Sequence, residues 1–342
     1  MNYMYKEIHQ QPDVLRETYK YNKDLLERIK KEISEKDIKT IIFAARGSSD
    51  NSGVYFKYLC EIYLNIPVSF GAPSIFTVYN SEVDYSNALI IGVSQSGQAQ
   101  DVLSVMNNAK KYNATTIAIT NFPNSPVAQA GDFHLFINAG EEKSVAATKT
   151  FTAQMYLLGL LVSSLTSSDE LLQQLQNVPT EVERVFENTE NIKSIAQSYK
   201  SIENAFVLGR GYHYSIAKEF ALKLQETTYI KAIPFAISDF YHGPFALTDN
   251  ESNFIIFAPA DETSKDSKEI IEAVNDKESN VIIFTDRSDL ISDKTIMLPH
   301  VSSIVMPYVS IVSAQLFAMY AAISKDLNPD KPRGLKKVTI TI

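Results

Sequence analysis

Long-range self-similarity limits what this chain can fold into more than any other property. Phe43-Ala44-Ala45-Arg46-Gly47 is echoed by Phe206-Val207-Leu208-Gly209-Arg210-Gly211, Ile66-Pro67-Val68 by Ile233-Pro234-Phe235, and Thr115 to Asn121 by Val281 to Arg287, at spacings of 163 to 167 positions. A period that long is the duplication of a whole domain, not a solenoid of short units. Within the first copy, strand-like runs at Thr40 to Ala45, Pro67 to Phe70, Ala88 to Val93, Thr115 to Thr120 and Phe133 to Ile137 alternate with helically spaced segments, at Asn51 to Tyr63, Gln98 to Lys111 and from Ala146 onward. Such alternation predicts a parallel sheet covered by helices on both faces. The expected class is therefore α/β, with two duplicated, doubly wound, three-layer parallel-sheet domains at 35–168 and 201–325. A helical segment (1–34) precedes them, a helical linker (169–200) joins them, and a tail (326–342) follows. With 342 residues, 45% of them apolar, the chain can fill two cores.

Charge and cysteine usage exclude several function classes. The net charge is −8 and no Lys/Arg run exceeds two residues, which argues against a nucleic-acid partner. The one cysteine, Cys60, lies in the amphipathic stretch Tyr55 to Tyr63 and is expected to be a buried helix position in a reducing, cytoplasmic compartment. Met1 to Gln10 is polar, and no apolar stretch is expected to reach bilayer length, the longest candidate being Met155 to Leu165.

Ser94-Gln95-Ser96-Gly97-Gln98 stands between an apolar strand and a helix. Hydroxyls and a glycine at such a turn converge free N–H groups and the positive end of the helix dipole on one point, which suits a phosphate dianion. Helix capping by Ser94 and Ser96 would explain the same residues. Gly47-Ser48-Ser49 has the same strand-to-helix setting, and Arg46 offers either charge for an anion or a surface ion pair. The second copy has Ala258-Pro259-Ala260-Asp261 where the first has its serines, so one phosphate site per chain is expected.

Acid–base candidates gather in the second copy. Lys223 and Glu226 share a face of the helix Ser215 to Thr228; spacing alone would make them a solvated salt bridge. His242, beside Gly243-Pro244, is expected to be presented by a turn, and together the three make a plausible acid–base set. The tail from Asn328 to Ile340 would, on composition, be an edge strand. Gly209-Arg210-Gly211 lacks the third glycine of a dinucleotide fingerprint, and the five histidines show no ligand spacing, so neither a nicotinamide cofactor nor a metal is expected.

Taken in order, Ser94-Gln95-Ser96-Gly97, Glu142 with Val145-Ala146-Ala147-Thr148-Lys149, Ala221 to Glu226, His242-Gly243-Pro244 and Pro332 to Lys337 resemble the isomerase half of the glucosamine-6-phosphate synthase family. That half consists of two sugar isomerase (SIS) domains of flavodoxin-like type. The resemblance implies that Ser49, Ser94, Gln95 and Ser96 hold a sugar phosphate and that Val145, Ala146 and Thr148 line the sugar. It makes Glu226 the base that moves a proton between C1 and C2, Lys223 the group that offsets enediolate charge, and His242 a ring-opening residue reaching in from a partner subunit. Lys337 becomes the lysine that forms a Schiff base with the open-chain ketose. The implied assembly is a homodimer with composite sites, its partner molecule is a small sugar phosphate, and the chemistry requires no cofactor. Ala99 and Ala147 replace a threonine and a serine of the family, removing one phosphate and one sugar hydroxyl contact. No glutaminase domain or N-terminal cysteine is present in the sequence, so amine release from an amino-sugar phosphate is expected. A deglycase of fructosamine-type 6-phosphates, an aminotransferase-like isomerase and a non-catalytic sugar-phosphate sensor are the alternatives.

Overall fold

A computed structural model describes residues 2–337. The chain forms two compact units that are not continuous in sequence. Among the described residues, one comprises Asp13–Glu142, Lys149–Gln176, Lys336 and Lys337; the other comprises residues 2–12, Lys143–Thr148 and Asn177–Leu335.

The first unit is built on strands β1 (Thr40–Ala44), β2 (Val68–Phe70), β3 (Ala88–Ser94), β4 (Thr115–Thr120) and β5 (Phe133–Phe136). They pair in parallel in the order β2-β1-β3-β4-β5. Every residue of β3 and β4 is buried, as a sheet covered on both faces requires, which is why these strands read as unbroken apolar or small-residue runs. Helix Gln100–Lys111 contributes Val102, Val105 and Met106 to the core on one face, against Ile42 and Ile90. Gly53, in helix Ser48–Leu59, lets that helix lie on Phe43, because a Cβ there would sit 2.3 Å from the ring. The helix ends in a wider π-type turn, Cys60–Leu64, with the Cys60 thiol buried.

The second unit repeats the plan with β6 (Asn204–Gly209), β7 (Lys231–Ala236), β8 (Asn253–Phe257), β9 (Asn280–Thr285) and β10 (Thr295–Met297). Their order, β7-β6-β8-β9-β10, is that of the first sheet, and all pairings are parallel. In both sheets the strand order reverses beside the first strand, the point at which ligands of open α/β sheets collect. The phenylalanines 206, 240 and 254 meet at ring separations of 5.2 to 5.6 Å in the second core.

Two expectations need correction. The N-terminal segment is two helices, Tyr3–His9 and Gln11–Ser34, not one. Pro12 has no N–H to give the Ile8 carbonyl and its ring would crowd it; the Gln11 side-chain amide donates to that oxygen instead, at 3.0 Å. A helix of bilayer length also exists: Met306–Ser324 has 19 residues and mean hydropathy 1.4, but 89% of that stretch is buried, as in a core helix. The apolar end of the tail, beyond Lys337, lies outside the described residues.

Candidate active site

In the first unit the phosphate-type turn leaves β3 at Ser94. Gly97 has φ +66° and a Cβ there would meet Ser125 Oγ at 1.9 Å, so no other residue fits. The turn is braced from the next loop: Asn121 N–H donates to the Gln95 carbonyl at 3.0 Å and Val127 N–H to that of Gly97 at 3.1 Å. Ser94 Oγ accepts from Gly97 N–H at 3.1 Å, and Ser96 Oγ from Gln98 N–H at 3.3 Å. Neither serine caps the helix, which starts at Gln100 behind Ala99, whose side chain can accept no hydrogen bond. The capping explanation therefore fails.

Beside this turn, β1 leads through Gly47, at φ +57°, into helix Ser48–Leu59, which carries buried Ser49. Arg46 takes the ion-pair alternative: its Nε lies 2.8 Å from the buried Asp101 carboxylate, in the first turn after the loop. That pairing neutralises a negative charge that would otherwise repel a bound anion.

A cavity of about 530 Å³ opens beside the turn, walled by Gln95, Ser96, Phe122, Ser125, Glu142 and Lys337 among others. Ser49 and Ser94 are buried and do not line it. Glu142 is buried and accepts from Thr150 N–H at 3.1 Å, Thr150 Oγ at 2.7 Å and Lys337 Nζ at 2.5 Å. Thus Lys337, nearly two hundred positions later, sits on the same cavity as Gln95 and Ser96.

In the second unit the acid–base pair is not solvated. Lys223 has a side-chain exposure of 0% and lies between Glu226 at 2.5 Å and Glu219 at 3.3 Å, which are 17% and 0% exposed. Burial works against the Lys223 ammonium, but the Glu219 and Glu226 carboxylates outweigh it and hold its pKa above the ordinary lysine range. The solvated salt bridge is thereby ruled out. Glu219 escaped the sequence reading, although its spacing of four from Lys223, amid Ile216, Phe220 and Leu224, was the available signal.

The sugar-lining candidates sit in the short segment that clusters with this unit. Lys143 N–H and Ser144 N–H donate to the Glu7 carboxylate at 2.5 and 3.2 Å. Val145 N–H donates to the Asp330 carbonyl at 3.2 Å, and Gln315 Nε2 to that of Thr148 at 3.3 Å. The Asp330 carboxylate in turn accepts from Tyr3 and Met4 N–H, at 2.7 and 2.8 Å. Ala146 and Thr148 are buried and Val145 partly so. His242 is exposed on a turn, its N–H on the Asp239 carbonyl at 3.0 Å, followed by Gly243 at φ +124°. The counterpart of the serine turn has Asp261, which accepts from Thr263 N–H and Oγ at 2.8 and 2.6 Å. Burial, with Asp286 nearby, raises its carboxyl pKa, and the Thr263 and Ser264 hydroxyls of this turn are directed to Asp261 itself.

A protein-family model described as the SIS domain matches residues 35–164 and 198–325. The chain is 32% identical over 365 residues to a glutamine–fructose-6-phosphate aminotransferase (isomerizing) of Chlorobaculum tepidum, with 99% of this chain and 58% of that protein aligned. It therefore spans a little over half the length of that relative. Among solved structures, the C-terminal domain of glucosamine-fructose-6-phosphate aminotransferase from Francisella tularensis superimposes with a TM-score of 0.88 at 28% identity, covering 97% of this chain and 98% of that one. The glucosamine-6-phosphate deaminase of Thermotoga maritima shares the fold at TM-score 0.78 and 20% identity, over 99% of this chain and all of that one.

Proposed function

This chain belongs to the SIS domain family, and on that premise we propose that it is a phosphosugar isomerase that deaminates an amino-sugar phosphate, converting glucosamine 6-phosphate and water to fructose 6-phosphate and ammonia. The carrying observation is the buried Lys223–Glu226 pair, a carboxylate with partial solvent access held against an ammonium whose charge Glu219 secures. A carboxylate so placed suits proton removal next to a carbonyl or imine, and the ammonium suits the oxyanion that develops there.

In this reading Ser49, Ser94, Gln95 and Ser96 bind the phosphate, and Val145, Ala146 and Thr148 flank the sugar. His242 of a partner copy opens the ring. Glu226 carries a proton from C2 to C1 of the open chain while Lys223 offsets charge on O1. Lys337 forms a Schiff base at C2 of the ketose, from which ammonia has left, and water releases fructose 6-phosphate. Cys60 takes no part in this chemistry: it is buried, and burial, then the Glu61 carboxylate, push its thiol well above the usual range.

Incubating purified protein with glucosamine 6-phosphate and measuring ammonia tests the proposal. No release, with Glu226→Gln indistinguishable from wild type, rejects it. A second reading, hydrolysis of fructosamine-type 6-phosphates, draws support from the cavity of about 530 Å³ with half-exposed Phe122 in its wall, room for a substituent on the amine. Competition between the two substrates separates them.

A further inference from the structure

Lys337 is offered as a nucleophile, yet its Nζ lies 2.5 Å from the Glu142 carboxylate. An ammonium cannot add to a carbonyl; the amine must first lose a proton. Glu142 is a carboxylate in contact with it, and its side chain is 0% exposed. Its second oxygen accepts the N–H of Thr150, in the first turn of the 18-residue helix Lys149–Thr166. A helix N-terminus favours a negative charge there, so a proton placed on Glu142 is readily returned.

We propose that Glu142 is the proton shuttle of Lys337. The inference rests on the reading of Lys337 as the Schiff-base lysine. Glu142 takes one proton from the Lys337 ammonium, leaving a neutral amine and a neutral carboxyl. The amine lone pair forms a bond to C2 of the open-chain ketose, the C=O π pair moves to oxygen, and the nitrogen's second proton passes to that oxygen, giving a neutral carbinolamine. Glu142 then returns its borrowed proton to the carbinolamine hydroxyl. The C–O bond breaks, water leaves, and the nitrogen lone pair closes the protonated imine. No reagent beyond the sugar phosphate is consumed, and Glu142 ends as a carboxylate beside a cationic imine.

The test is reductive trapping. Full-length wild type, Glu142→Gln, Glu142→Asp and Lys337→Ala are incubated with fructose 6-phosphate and borohydride, and the adduct at Lys337 is timed by mass spectrometry. Fructose 6-phosphate affinity is measured in parallel by calorimetry. The expected result is at least about tenfold slower trapping in Glu142→Gln, with affinity altered less than threefold and partial recovery in Glu142→Asp. The deficit should also shrink as pH is raised toward the range where a lysine sheds its proton unaided. Trapping in Glu142→Gln at the wild-type rate overturns the shuttle alone, leaving Lys337 as the Schiff-base residue. A deficit equal at every pH, with Glu142→Asp no better, assigns Glu142 a docking role only and also overturns it. Absence of any adduct in wild type overturns the shuttle and the reading of Lys337 together. Should Glu142→Gln not fold, Glu142→Asp decides: slowing relieved by high pH supports the shuttle, and no slowing rejects it.

Discussion

Lys223 keeps its charge where solvent does not reach it, and that changes what each neighbour costs to remove. Glu226→Gln leaves Lys223 paired with Glu219, so urea melts should move by less than about 1.5 kcal/mol, while ammonia release falls at least about 100-fold. Lys223→Met leaves two carboxylates with their shared cation gone, and should cost about 3–5 kcal/mol in the same melts. Equal stability losses in the two variants would contradict the arrangement. Gly97 is the second sensitive residue: Gly97→Ala meets both a positive φ and the Ser125 hydroxyl. Calorimetry with a hexose phosphate should show at least about tenfold weaker binding, and unchanged binding would separate this turn from phosphate recognition. Residue types were legible in the sequence, whereas their surroundings were not. Helical spacing places Lys223 and Glu226 on one face without saying which face, and here helix Met306–Ser324, whose Ala318 carbonyl meets the Thr227 hydroxyl, covers that side of the turn.

At the level of elements, the helix that carries this pair starts at His213, which is fully buried, with Nε2 on the Ser310 hydroxyl at 3.0 Å. Burial lowers its pKa to about 3, with Asp286 opposing. The folded state thus binds this proton less readily than the unfolded one, whose histidine titrates near 6.5. Its contribution is complete above about pH 6.5 and declines as pH falls toward 3. Urea midpoints between pH 7 and 4.5 should therefore drop more steeply for wild type than for His213→Gln, and parallel slopes would exclude the effect. Each strand of the first sheet was legible to within one residue; for β3 and β4 the reason is that a strand buried on both faces has to be apolar or small throughout. Helix starts were harder to read. The helix anticipated at Gln98 begins at Gln100, since Ser94 and Ser96 use their hydroxyls inside the loop. The one anticipated at Ala146 begins at Lys149, since Glu7 and Asp330 take up the N–H groups of the preceding, bent segment.

For the whole molecule, duplication retained one scaffold while the side chains at its loops and helices diverged. Both sheets have the same strand order, but only the first ends β3 in a serine turn, while the second places Asp261 at the matching point and carries Lys223 and Glu226 on its first helix. The proposed use of His242 across a subunit boundary makes a prediction at this scale. Mixing inactive His242→Ala with inactive Glu226→Gln, after mild dissociation and reassembly, should restore up to about a quarter of wild-type ammonia release if sites are shared between copies. Neither variant should regain activity alone. Failure of the mixture, with exchange verified by mass, would confine His242 to its own chain. This role was legible only through family resemblance, because a single sequence carries no physical signal that a side chain acts on another copy.

The Asp330 carboxylate, fastened to the N–H groups of Tyr3 and Met4 across 327 positions of chain, gives the molecule a clasp joining its extremities. Held by handles at both ends in an optical trap, the protein should yield first at this clasp, as a small low-force rip preceding the rupture of either sheet. Asp330→Ala should abolish that early rip and leave the later ones where they were.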